Sequence, residues 1–186
     1  MGDITQLIQR ARAGDRAAFD SLFELLYPEL RRIAHARLAR NVRDTLMDTT
    51  ALVHECYLKF SQAARLTPGD RIHFLSYAAT VMRSIIVDTA RASLAQRRGG
   101  DALHVTLDTG VAESAAAQAS EHEILDVHAA LDELARLDQR LVQVVEMRYF
   151  GGMKDEEIAQ VLGLTDRTVR RDWEKARLLL AHALRS

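Results

Sequence analysis

Apolar side chains recur along the chain at steps of three and four, the spacing of amphipathic helices. Ile4, Leu7, Ile8 and Ala11 form a first stripe. Gly14-Asp15 interrupts it, and Asp15 is placed to cap the next helix. Phe19, Leu22, Phe23, Leu26, Leu30, Ile33, Ala34 and Leu38 continue the spacing. Residues 3–39 are therefore expected to form one or two long helices, kinked or restarted at Pro28. A polar connection over 40–47 leads to a helix at 48–62, with Val53, Cys56, Tyr57 and Phe60 inward. Glu55 and Lys59 form an i,i+4 pair on its open face. After a loop at 65–72 with a Pro-Gly turn, a long helix spans 73–98. Its core side is Phe74, Leu75, Ala78, Val81, Met82, Ile85 and Ile86.

Residues 99–121 are small and polar and lose this period, as a linker does. Helical spacing resumes over 122–149, with Ile124, Val127, Leu131, Leu134 and Leu137, then an Asp138 cap and Leu141, Val144, Val145 and Met147. Phe150-Gly151-Gly152 ends it. The expected fold is all-α: two small helical domains, 1–98 and 122–186, joined by the linker. Two prolines and few β-branched runs agree with this.

The last stretch, DEEIAQVLGLTDRTVRRDWEKARLLLAHAL at 155–184, reads as a helix-turn-helix. Ile158, Ala159, Val161 and Leu162 line one face of a first helix. Gly163 permits the turn, Leu164 plugs the angle, and Thr165 or Asp166 caps the second helix. Val169, Trp173, Ala176 and Leu180 form one buried stripe, with Arg167, Arg170, Arg171, Lys175 and Arg177 opposite. A basic second helix of this kind suits the DNA major groove. A helical hairpin with a solvated basic face would share that stripe. The small Ala159, the Gly163 turn and the apolar Leu164 and Val169 favour DNA.

Charge sharpens the picture. The net charge of −1 looks wrong for a nucleic-acid partner, but it divides into +5 over 1–98, −5 over 99–125 and −1 over 126–186. Phosphate responds to such local fields rather than to the total. The acidic linker could dock on the basic first domain and mask it. In that domain Phe74 and Tyr77, followed by Arg83, Arg91, Arg97 and Arg98, suit single-stranded DNA through stacking and phosphate contacts. The same aromatics would serve equally as core, and the arginines as solvated surface.

Other chemistry is excluded. No apolar run approaches the roughly 20 residues of a membrane span, and no secretory leader is expected from MGDITQLIQR. Cys56 is the only cysteine, which fits a reducing cytoplasm and a small core residue rather than a nucleophile. There is no phosphate-cradling glycine loop, HExxH or Cys/His metal spacing, and the seven histidines are scattered. Neither an enzyme, a metal nor a cofactor is expected. A repressor that binds duplex DNA alone would use 155–184 but leave 1–98 without a role.

In order, ARAGDRAAFDSLFELLYPELRRIA, ALVHECYLKF, FLSYAATVMRSIIVDTAR, QRRGG and the helix-turn-helix resemble bacterial alternative sigma factors of the extracytoplasmic-function (ECF) class in the sigma-70 family. TVRRDW is part of that likeness, which covers nearly the whole chain. It implies sigma domain 2 at 1–98 and sigma domain 4 at 122–186. The implied protein is not an enzyme: it binds core RNA polymerase through the β′ clamp and β flap and directs it to promoters. Domain 2 would open the −10 element, with His73, Phe74 and Tyr77 at a flipped base and Arg83, Arg91, Arg97 and Arg98 on phosphates. Domain 4 would read the −35 element with Thr165, Arg167, Thr168, Arg170 and Arg171, and Lys175 and Arg177 on phosphates. Asp172 stands where many relatives carry a basic residue, and Trp173 where Leu is usual.

The likeness breaks at 48–51. Many relatives place several acids there to meet a basic coiled coil of the clamp; this chain has Asp48-Thr49-Thr50-Ala51. Asp48, Thr49, Thr50, Glu55 and Lys59 are the implied polymerase contacts. Some sigma factors lacking those acids are activated by phosphorylation of a threonine here, which implies Thr49 or Thr50 as an acceptor. The controlling partner would be a Ser/Thr kinase, an anti-sigma factor, or neither.

Overall fold

Three aspartates start three helices of the first domain. Asp15 accepts from the Ala18 N–H at 3.0 Å, Asp48 from Ala51 at 2.8 Å and Asp70 from His73 at 2.9 Å, each satisfying a free donor of a first turn. The computed structural model describes residues 2–41, 47–62, 69–99 and 110–185. The helices are α1 (Gly2–Arg12), α2 (Arg16–Asn41), α3 (Thr49–Gln62), α4 (Arg71–Gly99), α5 (Gly110–Leu137), α6 (Gln139–Val145), α7 (Asp155–Leu162) and α8 (Asp166–Ala183). A π-helical turn, Glu146–Phe150, extends α6. The described residues contain no strand.

Helices α1–α4 enclose a core that includes Ile8, Leu22, Phe23, Leu30, Leu52, Cys56, Phe60, Phe74 and Met82. Aromatic rings tie its layers: Phe60 lies 6.1 Å from Phe23 and 5.2 Å from Phe74. Burial pushes the Cys56 thiol up to about 12, so it packs as a small apolar group and stays protonated. Helix α2 runs through Pro28 without a break, so it does not restart there. Pro28 faces solvent, while Leu26 and Leu30 on either side are buried and hold the helix down.

Helices α5, α6 and α8 pack around Leu131, Leu134, Leu141, Val142, Val145, Phe150 and Ala176. The stretch expected as linker is already helical from Gly110. Its AESAAAQASE segment is rich in alanine, which favours a helix without needing an apolar stripe. Within it Glu121 is fully buried and accepts from the Ser93 hydroxyl of α4 at 2.7 Å.

The two halves do not stand apart. Val144, Met147, Met153, Ile158, Ala159 and Val169 join the core of the first domain, and Ala79 of α4 joins the core of the second. Gly151 shows how close the approach is. A Cβ there would lie 3.1 Å from the Ala79 side chain and 2.6 Å from the Met147 carbonyl oxygen. Helix α4 is the shared wall. Further along it, Val87 and Ala90 pack on Ile124 of α5.

Candidate nucleic-acid interface

The helix-turn-helix forms as its sequence implies. Gly163 takes the left-handed conformation, φ 64°, that ends α7. Thr165, not Asp166, is the N-cap of α8: its hydroxyl accepts from the Thr168 N–H at 3.3 Å and lies 2.9 Å from the Thr168 hydroxyl. Val169 and Ala176 are fully buried, with Trp173 and Leu180 half-buried beside them. This inward stripe turns Arg167, Arg170, Arg171, Lys175 and Arg177 outward, and all five are exposed. Arg167, Arg171 and Lys175 follow at i, i+4 and i+8, one open face of a helix long enough for a groove.

Acids shape that face. Asp155 at the start of α7 sits between Arg148 (3.0 Å) and Arg170 (3.3 Å). Arg177 lies 3.5 Å from Glu174. Asp172 is different: its side chain is 3% exposed and bound by the Arg140 Nε at 2.8 Å. This carboxylate ties α8 to α6, and its other oxygen lies 3.9 Å from the exposed Arg171.

The proposed −10 residues are less uniformly placed. Phe74 is fully buried, between Phe60 and the rest of the core. Its ring packs in the core here rather than at the surface. Tyr77 is half-buried with its ring 5.1 Å from Phe60. His73 is half-exposed, its Nδ1 2.8 Å from the capping Asp70. Arg91 is exposed. Arg97 and Arg98 fall in the last turn of α4, and their side chains lie outside the described residues.

Arg83 is the clearest departure. Instead of facing solvent, it reaches across to the second domain. Its Nη1 donates to Glu146 Oε1 at 2.7 Å, and its Nη2 lies 2.9 Å from Asp132 Oδ1 and 2.7 Å from His128 Nδ1. Thr80 adds a hydroxyl bond to Glu146 Oε2 at 3.0 Å. Sequence periodicity missed these partners. Glu146, an acid inside the apolar run LVQVVEM, is the signal that could have found them.

His128 makes this junction sensitive to pH. Burial, then the Arg83 charge, lowers its pKa below the ordinary histidine value, against the opposing pull of Asp132. Asp88 and Arg91 of α4 and Glu146 also surround it, Asp88 raising and Arg91 lowering its pKa. A lowered pKa means that the packed form binds the proton less well than a form with His128 in water. The packed form therefore loses stability as pH falls through about 6.5, the free-histidine value. A fluorophore pair on the two domains should report separation beginning near that pH in the wild type and not in His128→Gln.

At the positions that the resemblance implies for polymerase, Asp48 caps α3 and is exposed, with Thr50 exposed and Thr49 half-buried. Lys59 does not turn back to Glu55. It binds Asp88 at 3.0 Å and Ser84 at 3.1 Å on α4, a partner on another helix winning over the local i,i+4 pair. Glu55 is half-buried. Among the described residues no helix is long and apolar enough to cross a membrane.

No curated protein matches the chain. A family model described as ECF sigma factor matches residues 1–186. With a capped helix-turn-helix, an exposed basic face and a helical first half already in place, that match over the full length identifies the chain: it belongs to the ECF sigma factors, alternative sigma factors that bind core RNA polymerase and promoter DNA and direct transcription initiation.

Proposed function

We propose that this sigma factor reads the −35 element with the outer face of α8 and engages the −10 element with α4, and that the packed arrangement is its DNA-free form. The observation that carries the reading is the set of five exposed cations on α8, each held outward by the buried stripe behind it. Arg167, Arg170 and Arg171 lie in the first turns of α8, where base edges come within reach, and Lys175 and Arg177 reach phosphates. On the first domain His73, Tyr77 and Arg91, with Arg83 once released, remain the −10 candidates.

Distance argues for opening. Promoter positions −35 and −10 are about 25 base pairs apart, roughly 85 Å at 3.4 Å per pair. A packed chain of this length has a radius of gyration near 16 Å and cannot touch both. Arg83 and the α4 surface around it are also covered by Glu146, His128 and Asp132. Polymerase, which would hold each domain on its own site, supplies the separation.

Thr49 or Thr50 is the proposed switch for polymerase binding. Asp48 already caps α3, so neither threonine is needed for that purpose. A phosphate on either would add about −1.5 to −2 of charge where the family usually carries acids, in the first turn of a helix, which favours anions. The test is transcription and binding with core polymerase, using wild type with and without a Ser/Thr kinase beside Thr49→Ala and Thr50→Ala. Kinase treatment should raise polymerase binding by about tenfold, the effect of one to two kcal/mol of charge complementarity, and one alanine variant should lose the gain. Equal binding in every arm removes the switch. Absence of promoter-specific transcripts in every arm removes the whole reading.

A further inference from the structure

Arg170 has the closest ion pair of the five cations on the outer face of α8; Arg177 is 3.5 Å from Glu174 and Arg171 3.9 Å from Asp172. Arg167 and Lys175 make no ion pair among the described residues, whereas Arg170 Nε lies 3.3 Å from Asp155 Oδ2. The other oxygen of Asp155 is 3.0 Å from Arg148 Nη2. The Arg148 guanidinium in turn lies over the Trp173 ring, 4.9 Å from its centre. The Arg170 side chain is 66% exposed, while that of Asp155 is only 15% exposed. An exposed arginine is thus anchored through a sheltered carboxylate to a stack at the base of its own helix.

Such a pair adds little to stability, because the arginine end is in water. Its consequence is orientation. With Nε drawn to that carboxylate at ion-pair distance, the two terminal nitrogens of the guanidinium are left as a planar fork. Less side-chain freedom is then lost when the fork meets a partner. The nearby carboxylate also selects what that partner is. A phosphate brought to Arg170 would approach Asp155, and the two anions would repel. The edge of a base is neutral and meets no such penalty. Its best match to a forked guanidinium is the O6/N7 edge of guanine.

We propose that Asp155 is a positioning residue that makes Arg170 a reader of one guanine in the −35 element. This rests on α8 being the −35 helix, and the experiment separates the two claims. Full-length protein is loaded on core polymerase and used to select fragments from a pool randomised through the upstream element. Wild type enriches guanine at one position, and Arg170→Ala loses that enrichment alone. Asp155→Asn lowers it about tenfold, within the range of one bidentate contact, and leaves the other positions unchanged. Its binding to unselected DNA holds or rises, because a negative charge has left the surface. In the Arg170→Ala background, Asp155→Asn changes nothing further.

Arg170→Lys gives a second route that does not depend on Asp155 tolerating replacement. It keeps the charge without the fork, so affinity persists while the guanine preference disappears. The proposal fails if Asp155→Asn weakens every position alike, or if its effect survives in the Arg170→Ala background. It fails equally if Arg170→Lys keeps the preference. If wild type selects no upstream sequence, and Arg167→Ala with Arg171→Ala binds as wild type does, the −35 reading of α8 falls and this proposal with it.

Discussion

Glu146→Lys is expected to give an extended scattering profile where the wild type gives a radius of gyration near 16 Å. Glu146 receives Arg83 on one oxygen at 2.7 Å and Thr80 on the other at 3.0 Å. The Arg83 and Glu146 side chains are 12% and 11% exposed, so most of the water that would screen them is gone. Removing one member of a sheltered pair costs about 3–5 kcal/mol. At 1.36 kcal/mol per decade the ratio of packed to open forms shifts by about two to four decades. Lysine goes further by facing Arg83 with a second cation. Helicity of α1–α6 and α8 should change little, because α1–α4 and α5, α6 and α8 each have an apolar cluster of their own, whereas α7 packs on the shared core. Glu146→Gln, which keeps one acceptor oxygen, should open the chain less. Arg83, released, should strengthen binding of single-stranded −10 DNA. A compact profile for Glu146→Lys at every salt concentration would show that apolar contacts alone hold the halves together.

That junction also marks where sequence reasoning stops. The helices themselves were legible because their signals are local. Asp15 and Asp138 accept from N–H groups three and two residues on, and the stripes repeat within single helices. Gly163 and Thr165 were legible for the same reason. What failed was long-range. Lys59 had a suitable partner four residues away and another on α4, and only the fold shows that Asp88 is nearer. Arg83 looked like a phosphate ligand because nothing within its own helix uses it. Its partners lie 45 to 63 residues on. Phe74 combined two signals, a place on the apolar stripe and a place at a loop edge, and burial settled it as core.

The same distinction separates the acids of the second domain. Asp155 and Asp172 are both charges beside the reading helix, and the sequence treats them alike. Asp172 is enclosed and lies 2.8 Å from Arg140, with the exposed Arg171 farther off at 3.9 Å, so it belongs mainly to the packing of α8 on α6. Asp155 keeps one oxygen toward an exposed arginine and so bears on what the surface can recognise. The charge total of −1 hides this arrangement entirely. Acids are placed behind the cations, and the cations stay outward.

Promoter-specific transcription should fall about 10²-fold or more when Arg167 and Arg171 are both replaced by alanine, from losing two groove contacts of about 1–3 kcal/mol each. Both side chains are exposed and stand one turn apart on α8. Neither contributes to the buried stripe, so thermal stability should stay within about 0.5 kcal/mol of wild type. Polymerase binding through the first domain should also persist, which separates lost recognition from lost assembly. Salt dependence then tells how the two arginines act. If both hold phosphates, the slope of log affinity against log salt falls by about 0.9 for each, and every promoter weakens alike. If they read bases, the slope changes less and the loss is confined to sequences that matched them. Transcript counts on matched and mismatched upstream elements, at two salt concentrations, distinguish these outcomes. Unchanged transcription on the matched element would mean that α8 does not read the promoter, whatever its charge.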